Sequence, residues 1–109
     1  MANTFKLKTK ANVGVTTVGI YTAPAATTTV VIGITLSNTS GSGVNVGVGI
    51  TRAGTNEDVK LLKNAPIPQG SSLEFMGGNK VVLETTDTLT VDSDTNNSVD
   101  AALTIMEIT

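Results

Sequence analysis

Val30-Val31-Ile32-Gly33-Ile34-Thr35-Leu36-Ser37 is followed, after Asn38 and the flexible Thr39-Ser40-Gly41-Ser42-Gly43, by Val44-Asn45-Val46-Gly47-Val48-Gly49-Ile50-Thr51. Apolar side chains recur at every second position in both runs, which is the period of a half-buried β-strand and not of a helix. In the first run Val30, Ile32, Ile34 and Leu36 share one predicted face, opposite Val31, Gly33, Thr35 and Ser37. In the second, Val44, Val46, Val48 and Ile50 point inward, with Asn45, Gly47, Gly49 and Thr51 outward. A short Ser/Gly connection between two such strands predicts a β-hairpin.

The same reading extends in both directions. Phe5–Lys10 and Val13–Tyr21 precede the pair as strands, closed by the turn Ala23-Pro24-Ala25-Ala26. Val59–Lys63 follows, and then Asn64-Ala65-Pro66-Ile67-Pro68-Gln69-Gly70. Its prolines cannot donate to a ladder, so this stretch is kept out of any central position. Ser72–Met76, Lys80–Glu84 and Thr88–Asp92 are short strands divided by Gly77-Gly78-Asn79, read as a hairpin turn, and by Thr85-Thr86-Asp87. A polar turn from Ser93 to Asn97 leads into Ser98–Ile108. The prediction is all-β: residues 1–109 form a single antiparallel β-sandwich, or jelly-roll-like domain, of eight or nine short strands.

Composition supports this and narrows function. Thr, Val and Ile supply 39 of the 109 residues, and β-branched side chains fit pleated surfaces. The chain has no His and no Cys, which removes imidazole bases, thiol nucleophiles and the usual zinc ligands. A net charge of −2 gives no electrostatic footprint for nucleic acid. Three aromatics, Phe5, Tyr21 and Phe75, are too few for a base- or sugar-stacking strip. The opening residues lack the charged and apolar regions of a secretory signal, and no apolar run is long enough for a membrane helix.

The remaining constellations favour structure over chemistry. Asp92-Ser93-Asp94-Thr95-Asn96-Asn97 spaces oxygen ligands as a calcium loop does, but Asn97 stands where that loop needs Gly, and Leu103 where it needs Glu. It reads as a solvated turn held by its own Asp and Asn side chains. Glu74, Glu84, Asp87 and Asp100 could supply an acid and a base for glycoside cleavage, yet nothing in their spacing pairs them. The sequence therefore predicts no catalytic, cofactor-binding or metal-ligating residue. Lys6, Lys8 and Lys10 fall on one face of the first strand, with Phe5, Leu7 and Thr9 on the other. Lysines on an edge strand deter uncontrolled sheet pairing, and a basic stripe could also dock on an acidic neighbour.

The order of segments carries a resemblance. Met1-Ala2-Asn3-Thr4-Phe5 opens the chain, and Tyr21-Thr22-Ala23-Pro24-Ala25 leads through a Thr-rich run into Val30-Val31-Ile32-Gly33-Ile34. Ala65-Pro66-Ile67-Pro68-Gln69-Gly70-Ser71-Ser72-Leu73 precedes Lys80-Val81-Val82-Leu83-Glu84. Asp87-Thr88-Leu89-Thr90-Val91 and Met106-Glu107-Ile108-Thr109 complete it. Over nearly its whole length the chain resembles the small virion structural proteins of tailed bacteriophages, especially those of marine cyanobacteria. The resemblance implies a virion component assembled in the host cytoplasm, and a small compact domain with no fibrous repeat suits a capsid decoration (cement) protein on the major capsid protein. A neck, baseplate or tail-fibre part is the alternative.

The expected partners are copies of the chain itself, a closed trimer being favoured, and other virion proteins; neither nucleic acid nor membrane is expected. The expected interface combines Asn45, Gly47 and Gly49, where small residues would admit a neighbouring surface, with Met106 and Ile108. The last two belong to a C-terminal strand with apolar residues on both faces: Val99, Ala101, Leu103 and Ile105 point one way, and Ala102, Met106 and Ile108 the other, alongside Asp100 and Thr104. Lys6, Lys8 and Lys10 complete the set.

Overall fold

A computed structural model describes residues 3–75 and 80–109. Nine strands follow in order: β1 Asn3–Val13, β2 Val18–Thr22, β3 Thr28–Asn38, β4 Val44–Arg52, β5 Glu57–Ile67, β6 Ser72–Phe75, β7 Val81–Leu83, β8 Asp87–Ser93 and β9 Val99–Ile108. They form two antiparallel sheets, β1-β9-β3-β6 with β7 also on β3, and β2-β8-β4-β5. The pairing is nested: β1 with β9, β2 with β8, β3 with β6 and β7, β4 with β5. One long antiparallel ribbon is thus rolled up so that successive rungs alternate between two sheets, which is the jelly-roll arrangement of the β-sandwich.

Between the sheets lies an aliphatic core. Val31, Ile34, Leu36, Val46, Val48, Leu83, Leu89, Val91, Leu103 and Ile105 are all essentially inaccessible. Tyr21 is the one aromatic in the buried cluster of described residues.

Three local expectations are corrected. First, β3 and β4 do not form a hairpin, because β3 pairs with β9, β6 and β7 while β4 pairs with β5 and β8 in the opposite sheet. Residues 39–43 arch across the sandwich. The arch is fastened by Asn38, whose side-chain amide donates to the carbonyls of Ser42 (2.8 Å) and Ile67 (2.9 Å).

Second, the face of β3 is not uniform. Its register against β9 shifts between Val31 and Gly33, and this one-residue bulge reverses the parity of the strand. Val31, Ile34 and Leu36 are buried, whereas Val30 and Ile32 are only half-buried and belong to the outer face. Third, β6 and β7 each run antiparallel to β3, against Ile34–Ser37 and Thr29–Val31 respectively. They are two lengths of one interrupted edge and not the arms of a hairpin; the Gly77-Gly78-Asn79 turn itself lies outside the described residues.

Other features follow the sequence reading. β4 alternates as expected, β5 with its Pro66 is the edge of its sheet, and β9 buries Val99, Ala101, Leu103 and Ile105. The predicted strand Val13–Tyr21 is cut by Gly14–Thr17, which leave the ladder before β2.

The turn Glu84–Asp87, closed by the Asp87 N–H on the Glu84 carbonyl at 2.9 Å, holds Thr86 at φ +72°. A β-branched residue is costly in that left-handed region, by about 1–2 kcal/mol relative to a residue that tolerates it. Asn tolerates it better. Thr86→Asn should therefore raise stability by about 1 kcal/mol, measured as a higher urea midpoint at unchanged slope. A lower midpoint would show that the Thr86 side chain contributes more than its backbone costs.

Candidate functional site

The residues singled out by sequence fall on three separate surfaces. Asn45, Gly47 and Gly49 lie on the outer face of the β2-β8-β4-β5 sheet. Met106 and Ile108 lie on the outer face of the other sheet, and Lys6, Lys8 and Lys10 lie on β1, at that sheet's edge. They do not converge on one site.

Around Asn45, Gly47 and Gly49 the sheet is polar. Their neighbours are Thr88, Thr90 and Asp92 of β8 and Asp58, Lys60 and Pro66 of β5. Both glycines are buried, because flanking groups lean over them. A Cβ on Gly47 would sit 2.5 Å from Asp92 Oδ1, and one on Gly49 would sit 2.9 Å from the Val59 carbonyl oxygen. The register shifts of β5 against β4 at Val46, Val48 and Gly49 draw that backbone close. Here glycine serves the packing of adjacent strands. Asp92 is a side chain that can swing aside, and the Val59 carbonyl is not. Gly49→Ala should thus cost about 1–3 kcal/mol, clearly more than Gly47→Ala, when both are compared by chemical denaturation. Equal effects would refute the packing account.

The lysines occupy an unexpected side of β1. Lys6, Lys8 and Lys10 pair with Ile105, Leu103 and Ala101, whose side chains face the core, while Phe5 and Leu7 pair with Met106 and Thr104 on the outside. So the cations line the open margin between the sheets, and the apolar side chains of β1 face outward, 69% and 65% exposed. Lys6 uses this position to reach Glu107. Its Nζ lies 2.8 Å from Glu107 Oε1, and the Tyr21 hydroxyl donates to Glu107 Oε2 at 2.6 Å and meets the Thr29 hydroxyl at 2.7 Å. Glu107, Tyr21 and Thr29 are buried, so the network joins β1, β2, β3 and β9 inside the sandwich. Sequence reading missed it. The one signal was a lone Glu in the alternating apolar face of β9.

The network has a definite electrostatic character. The ammonium of Lys6, helped by the Tyr21 hydroxyl, holds the Glu107 carboxyl below the usual range. Burial, then the hydrogen bond to Glu107, pushes the Tyr21 phenol from 10.0 to about 12. A carboxylate whose folded pKa is depressed stabilises the fold above its ordinary pKa, and that contribution is lost as pH falls through the folded value. For the phenol the sign is opposite. Its contribution is complete below pH 10.0 and lost as pH rises through about 12. Because the chain has a single Tyr and no Trp, the phenolate absorbance titration reads Tyr21 alone. The native protein should ionise near pH 12, the urea-unfolded chain near 10, and Glu107→Gln should lower the native midpoint. Coincident native and unfolded curves would show that the network does not form.

Several other carboxylates are engaged by structure. Arg52 reaches Glu84 at 2.6 Å and Asp87 at 3.3 Å, and Asp100 accepts the Asn12 backbone N–H at 3.0 Å. In the 92–97 turn, Asp92 accepts from the Thr17 hydroxyl, and Asp94 from the Asn45 backbone N–H and the Thr95 hydroxyl. Among the described residues no cluster of three acidic side chains is arranged to hold a metal ion, and no helix is long and apolar enough to cross a membrane.

The face holding Met106 is different in kind. One row crosses the sheet as Phe5–Met106–Val30–Val82, one residue from each of β1, β9, β3 and β7. Val82 is 54% exposed, and Met106 and Val30 are half-buried. Leu7, Ile32 and Ile108 border the row, whereas the far end of the same face carries Thr9, Thr35, Glu74 and Asp100. The sequence had placed Val30 and Ile32 in the core, and the bulge moves them into this patch.

No family model and no curated protein matches the chain. Among solved structures it is similar in fold to a protein of Bacillus endospore appendages, described as a novel family of disulfide-linked pili. The TM-score is 0.57 at 15% identity, over 99% of this chain and 87% of the other.

Proposed function

We propose that the chain is a non-enzymatic structural subunit that works by packing against copies of itself and against larger protein surfaces. The observation that carries this reading is β9, whose outer face carries Ala102, Met106 and Ile108 alongside Asp100 and Thr104, although the sandwich covers only its inner face. Met106 and Ile108 are half-buried in the single copy, so covering what remains would contribute on the order of 1 kcal/mol each, which still counts beside a small domain's net stability. The likeness to a pilus-forming protein fits such a role. That protein is described as disulfide-linked, and this chain has no Cys, so its copies would join by packing alone.

The finer reading is a virion protein of a tailed phage, assembled in the host cytoplasm and bound to the capsid surface as a decoration protein. Its support is the segment order described above and the chain's single aliphatic sandwich. The alternative is a neck, baseplate or tail-fibre component, and the fold it shares with a filament-forming protein favours that reading. Quantitative protein staining of purified particles tests both. Hundreds of copies per particle are expected for decoration, and a few to a few dozen would transfer the protein to the neck or tail. Absence from washed particles would overturn the virion assignment.

A further inference from the structure

We propose that two copies stack face to face through the outer surface of the β1-β9-β3-β6/β7 sheet, about a two-fold axis that runs along the strands between β9 and β3. The proposal rests on the self-associating role given above and names its surface and symmetry.

The surface selects a partner by its chemistry. The row Phe5–Met106–Val30–Val82, with Leu7 and Ile108 beside it, carries no charge. An apolar strip of this extent across a solvent-facing sheet is covered in an assembly. The other broad face of the molecule cannot cover it. That face presents Thr88, Thr90, Asp92, Asp58 and Lys60, so a head-to-tail stack would press unpaired charges onto Phe5 and Met106. Between copies, only like on like leaves the strip dry.

The orientation follows from the strand order. A two-fold axis along the strands keeps each row against itself and reverses the order of strands. Phe5 of one copy then meets Val82 of the other, and Met106 meets Val30, so the strip is complementary to itself. The same reversal lays β1 of one copy over β6 of the other. Glu74, exposed on β6, comes opposite Thr9 of β1, with which it shares a row through Ala102 and Thr35. An axis across the strands at the level of Leu7 and Thr104 would instead set Phe5 against Thr9 and Met106 against Ala102.

The area is sufficient. At about 4.8 Å per strand and 3.4 Å per residue, three strands of ten or eleven residues and the short β6 and β7 present roughly 650 Å². Two such faces bury on the order of 1,300 Å², within the range of specific interfaces. An isologous contact of this kind closes on itself and leaves no strip exposed for further growth.

Multi-angle light scattering of the purified chain should give a species of twice 11.1 kDa at micromolar concentration. Val30→Lys should weaken association by about 100-fold or more while the far-UV spectrum stays that of a folded β protein; Thr90→Lys, on the opposite face, should leave it unchanged. A cysteine pair reads the orientation directly, because the chain has no Cys of its own. In Phe5→Cys/Val82→Cys the two sites lie three strands apart, too far to bridge within a copy. Oxidation should therefore yield a covalent dimer and no ladder of larger species, while Thr22→Cys/Lys60→Cys should stay unlinked. A monomer at all concentrations, a trimer, or cross-linking through the Thr22/Lys60 pair would overturn the proposal. Copies found on particles but seated there singly would overturn the two-fold stack and leave the structural role standing.

Discussion

The ladder between β3 and β9 is the constraint on which the rest of the molecule depends. Ten residue pairs join Thr28–Asn38 to Val99–Ile108, so the strand that closes the chain lies against one from its first third. Each of these strands then offers its other edge, β9 to β1 and β3 to β6 and β7. Only with this ladder in register does the nested order of the jelly roll follow, because β8 and β4 pair across the opposite sheet in the same sense. Closing loops of this length costs entropy before any contact is made, and the aliphatic inner faces of β3 and β9 compensate for it. Ile34 pairs with Leu103, Leu36 with Ala101 and Val31 with Ile105, all buried.

Within that frame the Glu107 network fixes what an aliphatic core cannot. Val, Ile and Leu pack in many arrangements of similar energy, whereas a buried carboxylate must find its donors. Glu107 finds them in Lys6 and Tyr21, which tie an edge strand of each sheet to β9. β1 has almost no buried side chain of its own, Val13 aside. Its attachment therefore rests on backbone pairing and on this one ion pair. A shift of β1 by one residue along β9 would turn Lys6 outward and bring Phe5 over the interior margin. The pair thus specifies register, which is a better-founded role for a buried charge than net stabilisation.

How far the sequence could be read varied with the range of the interaction that decides each feature. Strand existence is local: alternation gave β4 and β9 with the correct faces, and Pro66 excluded β5 from the centre of a sheet. The side on which the chain continues is not local. Five residues between Asn38 and Val44 serve equally for a hairpin and for an arch between sheets, and the choice is made by β9, some sixty positions later. The bulge at Ile32–Gly33 was marked only by a glycine in the strand, and without it Val30 and Ile32 read as core. Gly47 and Gly49 were recognised as special for the wrong partner: the groups that need the space belong to β5 and β8 of the same chain. Of the candidate interface, β9's second face was legible because both faces of one strand can be counted. The contribution of Phe5 and Leu7 was not, since β1 reads equally well either way round until Lys6 meets Glu107.

This orientation of β1 has a consequence for the whole surface. Had the lysines faced outward, the sheet's outer face would carry cations beside Met106 and Val30 and would be soluble without a partner. With Lys6 drawn inward to Glu107, the outward positions fall to Phe5 and Leu7, and the row to Val82 becomes continuous. The same ion pair that sets the register of β1 therefore creates the apolar strip. The opposite face, rich in Thr, Asp and Lys, stays compatible with water. One broad face is thus divided into an apolar end and a polar end, and the other is polar throughout. Fold specificity and the apolar strip then share one cause, a single carboxylate near the end of β9.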